Sequence, residues 1–307
     1  MLSHVDVLPS ESNRRTGFVC PECRGLLDIG PSSWSCASCE VVYPLRGGQP
    51  DLRPRRPISR TLTVRIDAVD TPLPTARLAP LERGPHGEGT TTLDDAVTSG
   101  NRLSAVLATR VPPSTGGQVM LDVGCGDTLC GRALASGKGY EYVGVDIGGD
   151  EADALVDAHV LPFVDRAVGV VCSWAVLEHL RMPHLAVEEI HRVLAPDGVF
   201  VGSVAFLEPF HMDSHFHHTH LGLADVLAAA GFVDIQIEAN DEWRVTDAVY
   251  WMHHLARHPA QRRTARFAQP LLRALSRTSR RDTNSDTDHA TLAGITGGFR
   301  FVARRPS

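Results

Sequence analysis

Two groups of side chains in this 307-residue sequence have the types and spacing to do chemistry. The first is Cys20-x-x-Cys23 followed, after twelve residues, by Cys36-x-x-Cys39. Each Cys-x-x-Cys turn presents two sulfurs at one corner of the chain, and two such turns supply the four thiolates of a tetrahedral zinc shell. With every coordination position taken by protein, a metal there holds a fold and leaves no place for a reacting water. The second group is FHMDSHFHHTH, 210–220, which puts five of the 15 histidines on eleven consecutive positions. Imidazole at that density suits a metal site, a proton-transfer site or a substrate-binding loop, and equally a surface loop with no special task.

Composition narrows the setting. With 43% hydrophobic and 21% charged residues the chain can build one large core and one small accessory module. A net charge of −6 disfavours binding by phosphate neutralisation, and the basic clusters RPRRP (53–57) and RTSRR (277–281) read as solvated linker and loop, so nucleic acid is not an expected partner. The N-terminus lacks the apolar core of a signal peptide and no later run is long enough to cross a bilayer, which leads us to expect a cytoplasmic protein without membrane association. Seven cysteines, an odd number, argue against a disulfide framework.

The elements that must position this chemistry follow from periodicity. GGQVMLDVGCGDTLCGRAL is an apolar run, a turn Asp122-x-Gly124-Cys125-Gly126, then a helical pattern. A strand entering a glycine turn lets the backbone approach a ligand where a Cβ would collide. A second strand, EYVGVDI, ends about twenty residues later in Asp146, the place from which a carboxylate receives the hydroxyls of a ribose. Dinucleotide turns carry a third glycine where this chain has Leu129, so a ligand without a pyrophosphate fits better. Strands are expected at 118–124, 141–146, 153–157, 168–173, 198–206, 233–238 and at GFRFVARR near the C-terminus, with helices between. The expected fold is α/β: a Rossmann-like, doubly wound, seven-stranded sheet, with ligands at the carboxyl ends of its strands, and a small N-terminal zinc ribbon. The expected division is a ribbon over 1–52, a linker over 53–93, and a main domain over 94–307. That domain begins with a helix ending at Pro112-Pro113. An insertion around 242–296 is expected to form two helices, as a cap or a homodimer surface, and a mobile polar loop.

Two resemblances add to this. Cys-Pro-x-Cys, a short strand, the second Cys-x-x-Cys, then Tyr43-Pro44, Gly48 and PDL resemble the Trm112-type zinc ribbon over about 18–53, which implies a scaffold or partner-stabilising module. LDVGCGDT, VGVDI, DAHVLPFVDRAVGVVCSWAVLEHL and EEIHRVLAPDGVFVGSV resemble successive motifs of class I S-adenosylmethionine-dependent methyltransferases, type 11-like, over about 118–237. The chain departs from the usual Ser-Phe-Asp before the fourth strand, having Ala167-Val168-Gly169, a structural position. By this resemblance Asp122, Gly124 and Gly126 line the methionine and ribose side, with Cys125 as a small wall residue. Asp146, with Ile147 beside it, holds the ribose; Asp157 and Ala158 flank the adenine; Cys172, Ser173 and Trp174 border the transferred methyl.

The histidine stretch then lies where the substrate loop of that family runs. Methyl transfer needs the acceptor oriented and its proton removed, and a histidine suits the second task. Base or substrate contact by His211, His215 or His179 stands beside two alternatives. One is a second divalent metal held by His211, His215, His217 and Asp213. The other is histidines that cap a helix or face solvent, with Thr219 as the cap. The expected function is O-methylation of a small sugar-type or secondary-metabolite acceptor with histidine-assisted deprotonation. The rivals are an rRNA or tRNA methyltransferase and a non-catalytic protein-binding partner.

Overall fold

The structure is a computed structural model that describes residues 17–60, 105–126, 129–207, 213–240 and 296–307. Residues 61–93 of the linker expected over 53–93, most of the helix expected from 94, the insertion up to 295, His211 and the basic cluster at 277–281 lie outside the described residues.

The apolar runs form the strands expected of them, within a few residues. They are β5 (Val119–Val123), β6 (Glu141–Asp146), β7 (Ala154–Leu155), β8 (Val168–Trp174), β9 (Leu194–Ala205), β10 (Val233–Ala239) and β11 (Gly298–Arg304). The helices are α1 (Ala105–Arg110), α2 (Leu129–Lys138), α3 (Pro183–Val193) and α4 (His220–Ala229). Pro183 opens α3, where a missing N–H costs nothing. Thr219 caps α4 as expected, its hydroxyl accepting from the Gly222 N–H at 3.0 Å. β9 begins four residues earlier than the sequence pattern indicated. Its pairing with β8 starts at Val168–Leu194 and resumes at Val170–Val199, so residues 195–198 bulge, with Asp197 at φ +60°.

These strands make one sheet in the order β10-β11-β9-β8-β5-β6-β7. The strands from β9 across to β7 are parallel, and β11 runs antiparallel to both its neighbours. Side-chain alternation gives the sheet two apolar faces. Leu121, Val171, Phe200 and Phe301 pack with Val187 and Ile190 of α3 and Leu227 of α4. Met120, Val170, Val201 and Val302 pack beneath Leu107 of α1 and Leu134 of α2. No described helix is long and apolar enough to cross a membrane.

The cysteine segment forms an antiparallel sheet of β1 (Leu27–Ile29), β2 (Ser33–Cys36), β3 (Val42–Arg46) and β4 (Gln49–Pro50). It docks against the β7 edge of the large sheet. Asp51 bridges Leu155 in parallel register, and the Leu52 N–H donates to the Leu155 carbonyl at 2.8 Å. Phe18 bridges Phe163, with ring centroids 4.7 Å apart, and the Val19 N–H donates to the Pro162 carbonyl at 2.7 Å. Phe18, Val41, Tyr43 and Leu52 belong to the same buried cluster as Val145, Ala154 and Phe163, so the two sheets share a core.

Charge reinforces the docking and corrects the reading of RPRRP as solvated linker. Asp51 is fully buried and accepts from Arg53 at 2.7 and 2.8 Å, with Arg46 and Arg55 also paired to it. The Arg53 guanidinium, opposed by burial and aided by Arg55, holds the Asp51 carboxyl well below the usual carboxylate range. Arg56 pairs with Glu22. A buried carboxylate needs such partners, and a short Pro- and Arg-rich motif gives no sign in the sequence of where its acid is.

Candidate active site

β5 leads on to β6 and β7 on one side, while β8 and β9 lie on its other side, so a crevice opens at the carboxyl ends between β5 and β8. The glycine turn sits at this point. Gly124 has φ +75°, and a Cβ there would lie 2.3 Å from Val176 Cγ2. The N–H groups of Gly124 and Cys125 both donate to the Val145 carbonyl, which ties the turn to β6.

Asp146 ends β6 and is half-buried. Its Oδ2 accepts from the Gly126 N–H at 3.0 Å and its Oδ1 from the Gly148 N–H at 3.1 Å. Two backbone donors thus fix the carboxylate, and each oxygen keeps acceptor capacity for a ligand hydroxyl. Asp122 is fully buried beneath the turn, where its Oδ2 accepts from the Tyr142 hydroxyl at 2.9 Å. Its place is that of a brace. Burial, with Asp122, Asp146 and Asp153 close by, pushes the Cys125 thiol up to about 12, so it remains a neutral wall.

Ile147 is exposed beside Asp146. Asp157 accepts from the backbone N–H of His159 at 3.0 Å and pairs with its Nδ1 at 2.6 Å. His159 Nε2 accepts from the Met182 N–H, so Nδ1 carries the proton it gives to Asp157. The His159 bonds hold the Asp157 carboxyl low against the opposing effect of burial. Ala158 packs against the core.

At the end of β8, Cys172 is fully buried and its thiol is raised by burial and by Asp122. Ser173 is 1% exposed, and neither its hydroxyl nor the buried Trp174 Nε1 makes a hydrogen bond among the described residues. The next residue, Ala175, has φ +54° and donates to the Ser203 carbonyl at 3.1 Å.

The structure brings two of the three expected catalytic histidines together. The N–H groups of His215 and Phe216 donate to the Glu178 carbonyl at 2.6 and 3.0 Å, placing the histidine loop against the 3₁₀ turn Leu177–His179. Glu178 is fully buried, and its Oε1 accepts from the Ala205 N–H at 3.0 Å at the end of β9. His215 is exposed and His179 half-buried, while His211 lies outside the described residues. His218, which the sequence reading assigned no role, is the buried member at 7% exposure. Burial, and then His184 and His217, lower its pKa to about 4.

The four cysteine ligand atoms all lie within 4.8 Å of one another, with Cys20–Cys39 at 3.6 Å and Cys23–Cys36 at 3.4 Å. Tetrahedral zinc with Zn–S near 2.3 Å requires sulfurs about 3.8 Å apart. The Gly25 N–H also reaches Cys23 Sγ at 3.4 Å, as donors do around thiolate centres. The cluster fits zinc. It is the only group of three or more metal-ligating side chains converging in this way among the described residues.

Sequence reasoning missed two contributors near the turn. Gly131 stands two residues beyond the third-glycine position of the dinucleotide pattern, and a Cβ there would be 2.0 Å from Asp122 Oδ2. Its signal was available as a glycine on the inner face of LCGRAL. Arg53 donates to the Ile147 carbonyl from outside the main domain, a contact no local pattern encodes.

Strand order, the antiparallel β11 beside β9, and a glycine turn feeding an anchored acid together define a Rossmann-like methyltransferase sheet. Residues 99–244, just under half of the chain, match the family Methyltransf_23, a methyltransferase domain. Over those residues the chain is similar to a methyltransferase domain, the class expected from its sequence. No curated protein matches the sequence. Among similar solved structures is Haemonchus contortus phosphoethanolamine N-methyltransferase 2 in complex with phosphomonomethylethanolamine and S-adenosylhomocysteine. It is 19% identical, with TM-score 0.42, and the match covers 66% of this chain and 52% of that one. The matched region thus spans about half the length of that enzyme. Another is Streptomyces coelicolor geranyl diphosphate C-methyltransferase, 13% identical, TM-score 0.43, covering 65% and 77%. A third is the complex between the Haloferax volcanii Trm112 methyltransferase activator and a methyltransferase, 20% identical, TM-score 0.42, covering 66% and 88%.

Proposed function

We propose that the protein is a cytoplasmic S-adenosylmethionine-dependent methyltransferase that methylates an oxygen of a small sugar-type or secondary-metabolite acceptor. The observation that carries this reading is the Asp146 carboxylate, held by the Gly126 and Gly148 N–H groups beside the β5–β8 crevice. A fixed acceptor pair at that point suits the two hydroxyls of a ribose. When bound, S-adenosylmethionine supplies a sulfonium methyl whose C–S electron pair returns to sulfur as the acceptor's lone pair forms the new bond.

The chain's own residues bind, orient and take a proton. Asp146 receives the ribose hydroxyls, with Ile147, Asp157 and Ala158 around the adenine. Gly124, Cys125 and Gly126 let the backbone close on the ligand. Ser173 and Trp174 border the methyl from the end of β8. His215 or His179, gathered at the Glu178 carbonyl, takes the acceptor proton as the new bond forms. Cys20, Cys23, Cys36 and Cys39 hold a structural zinc, and residues 1–52 act as a scaffold for the β7 edge. With four protein ligands that metal has no open position and takes no part in transfer.

Titration calorimetry with S-adenosylhomocysteine tests the reading. The wild type is expected to bind and Asp146→Ala to bind at least about tenfold more weakly, which is about 1.4 kcal/mol. A wild type that does not bind the nucleoside overturns it, and salt-sensitive RNA binding would move the acceptor class to nucleic acid.

A further inference from the structure

The chain leaves β7 through Val156 into Asp157, Ala158 and His159. Leu155 pairs with Asp146 in parallel register, and the Val156 N–H donates to the Asp146 carbonyl at 2.7 Å. Asp157 therefore stands one strand over from Asp146 and two residues farther along, at the carboxyl edge of the sheet. The two acids are fixed differently. Asp146 takes one backbone donor on each oxygen. Asp157 takes both of its donors on Oδ1, from the His159 N–H at 3.0 Å and from His159 Nδ1 at 2.6 Å.

The ring that gives the second of these bonds is itself held. His159 Nε2 accepts from the N–H of Met182, the residue before α3, at 3.2 Å. An imidazole that must donate at Nδ1 and accept at Nε2 has one neutral tautomer and one orientation that meet both demands. Asp157 cannot turn about its Cβ–Cγ bond without giving up the bond to that ring, so the direction of Oδ2 is set as well. Oδ2 accepts from none of the described residues, and the side chain is 37% exposed, which leaves that oxygen open to a ligand. The His159 bonds also favour the ionised carboxyl, and an ionised carboxylate can only accept.

We propose that His159 is a positioning residue for the base of the bound nucleoside: by holding Asp157 Oδ1 it aims Oδ2 at the amino edge of adenine and makes the site select a 6-amino over a 6-oxo purine. Adenine offers an N–H to that oxygen. Hypoxanthine offers a carbonyl, and a charged acceptor facing another acceptor loses its bond and keeps its desolvation. A carboxylate free to rotate, or able to hold a proton, would accommodate either base, so the discrimination depends on His159 as well as on Asp157. Through Met182 the same ring also ties the end of β7 to the connection between the 3₁₀ turn Leu177–His179 and α3. The inference rests on the S-adenosylmethionine reading for the identity of the ligand.

The test compares S-adenosylhomocysteine with S-inosylhomocysteine, its 6-oxo counterpart, by calorimetry on the full-length protein. The wild type is expected to bind the 6-amino nucleoside at least about tenfold more tightly. In His159→Ala that ratio is expected to fall to about threefold or less, through weaker binding of the 6-amino form while the 6-oxo form stays within about twofold of wild type. His159→Asn, whose amide N–H takes the place of Nδ1–H, should restore most of the preference. A His159→Ala protein that loses affinity for both nucleosides by the same factor, or a His159→Asn protein no more selective than the alanine variant, would show that the residue serves only the fold and would overturn the inference. Equal binding of the two nucleosides by the wild type overturns it without any variant and leaves the S-adenosylmethionine reading standing. A wild type that binds neither sinks that reading and the inference with it.

Discussion

Arg53 donates through Nη1 to the carbonyl oxygen of Ile147 at 3.1 Å, joining the segment that leaves the cysteine ribbon to the residue beside Asp146. The same guanidinium is held by the buried Asp51, which itself bridges the β7 edge at Leu155. The ribbon thus reaches the turn that anchors the Asp146 carboxylate.

Removing that contact with Arg53→Ala should weaken S-adenosylhomocysteine binding about three- to tenfold, the effect of one hydrogen bond to a backbone carbonyl. Calorimetry checks it. Affinity equal to wild type would mean that the Gly126 and Gly148 donors hold Asp146 without help from the ribbon.

Loss of the metal should unfold more than the ribbon. Because Phe18, Val41, Tyr43 and Leu52 share a core with Val145 and Phe163, Cys36→Ser or stripping by a strong chelator is expected to lower the melting temperature of the whole protein. A loss of several kcal/mol corresponds to a fall on the order of 10 °C for a domain of this size. Differential scanning calorimetry should record one cooperative transition, and metal analysis one zinc per chain before stripping. Two separate transitions would show that the sheets unfold independently.

Two glycines of α2 should respond oppositely to alanine. At Gly131 a Cβ would meet Asp122 Oδ2 at 2.0 Å and Tyr142 Cε2 at 2.8 Å, so the helix must lift from β5. Gly131→Ala is expected to cost about 3 kcal/mol and to weaken nucleoside binding, because Asp122 braces the turn. Gly137 is exposed, with nothing within 4 Å of an added Cβ, and Gly137→Ala should stabilise by about 0.5–1 kcal/mol. Urea denaturation of the pair gives both signs at once.

Much of the fold was legible because its strands are long apolar runs punctuated by turns. VMLDV and EYVGVD declare their type and their ligand-facing ends without tertiary information. The Cys-x-x-Cys pairs were equally plain, since tetrahedral thiolate binding constrains spacing. What the sequence did not carry was long-range pairing. Arg53 looked like linker because the strand its Asp51 partner bridges, β7, lies about a hundred residues away. Among the histidines, density said nothing about which one would be buried, because His218 is placed by a long-range contact, its N–H donating to the Ala205 carbonyl at the end of β9.

That burial has a pH signature with a definite sign. His218 is lowered to about 4 in the fold, first by burial and then by His184 and His217, against an ordinary value near 6.5 in the unfolded chain. Between those values the unfolded state binds a proton that the folded state refuses. Stability contributed by the neutral ring is therefore complete above about pH 6.5, falls as the pH drops, and levels off below about pH 4. The full loss is on the order of 3 kcal/mol. His191, also lowered by burial, adds a slope of the same sign, so one substitution removes only part of the effect. His218→Phe keeps a planar ring in the site and removes Nδ1, which is buried without a hydrogen bond among the described residues. The variant should match or exceed wild-type stability at pH 8 and gain on it steadily toward pH 4.5 in urea titrations. Parallel pH profiles for the two proteins would show that the site opens to water before His218 is protonated.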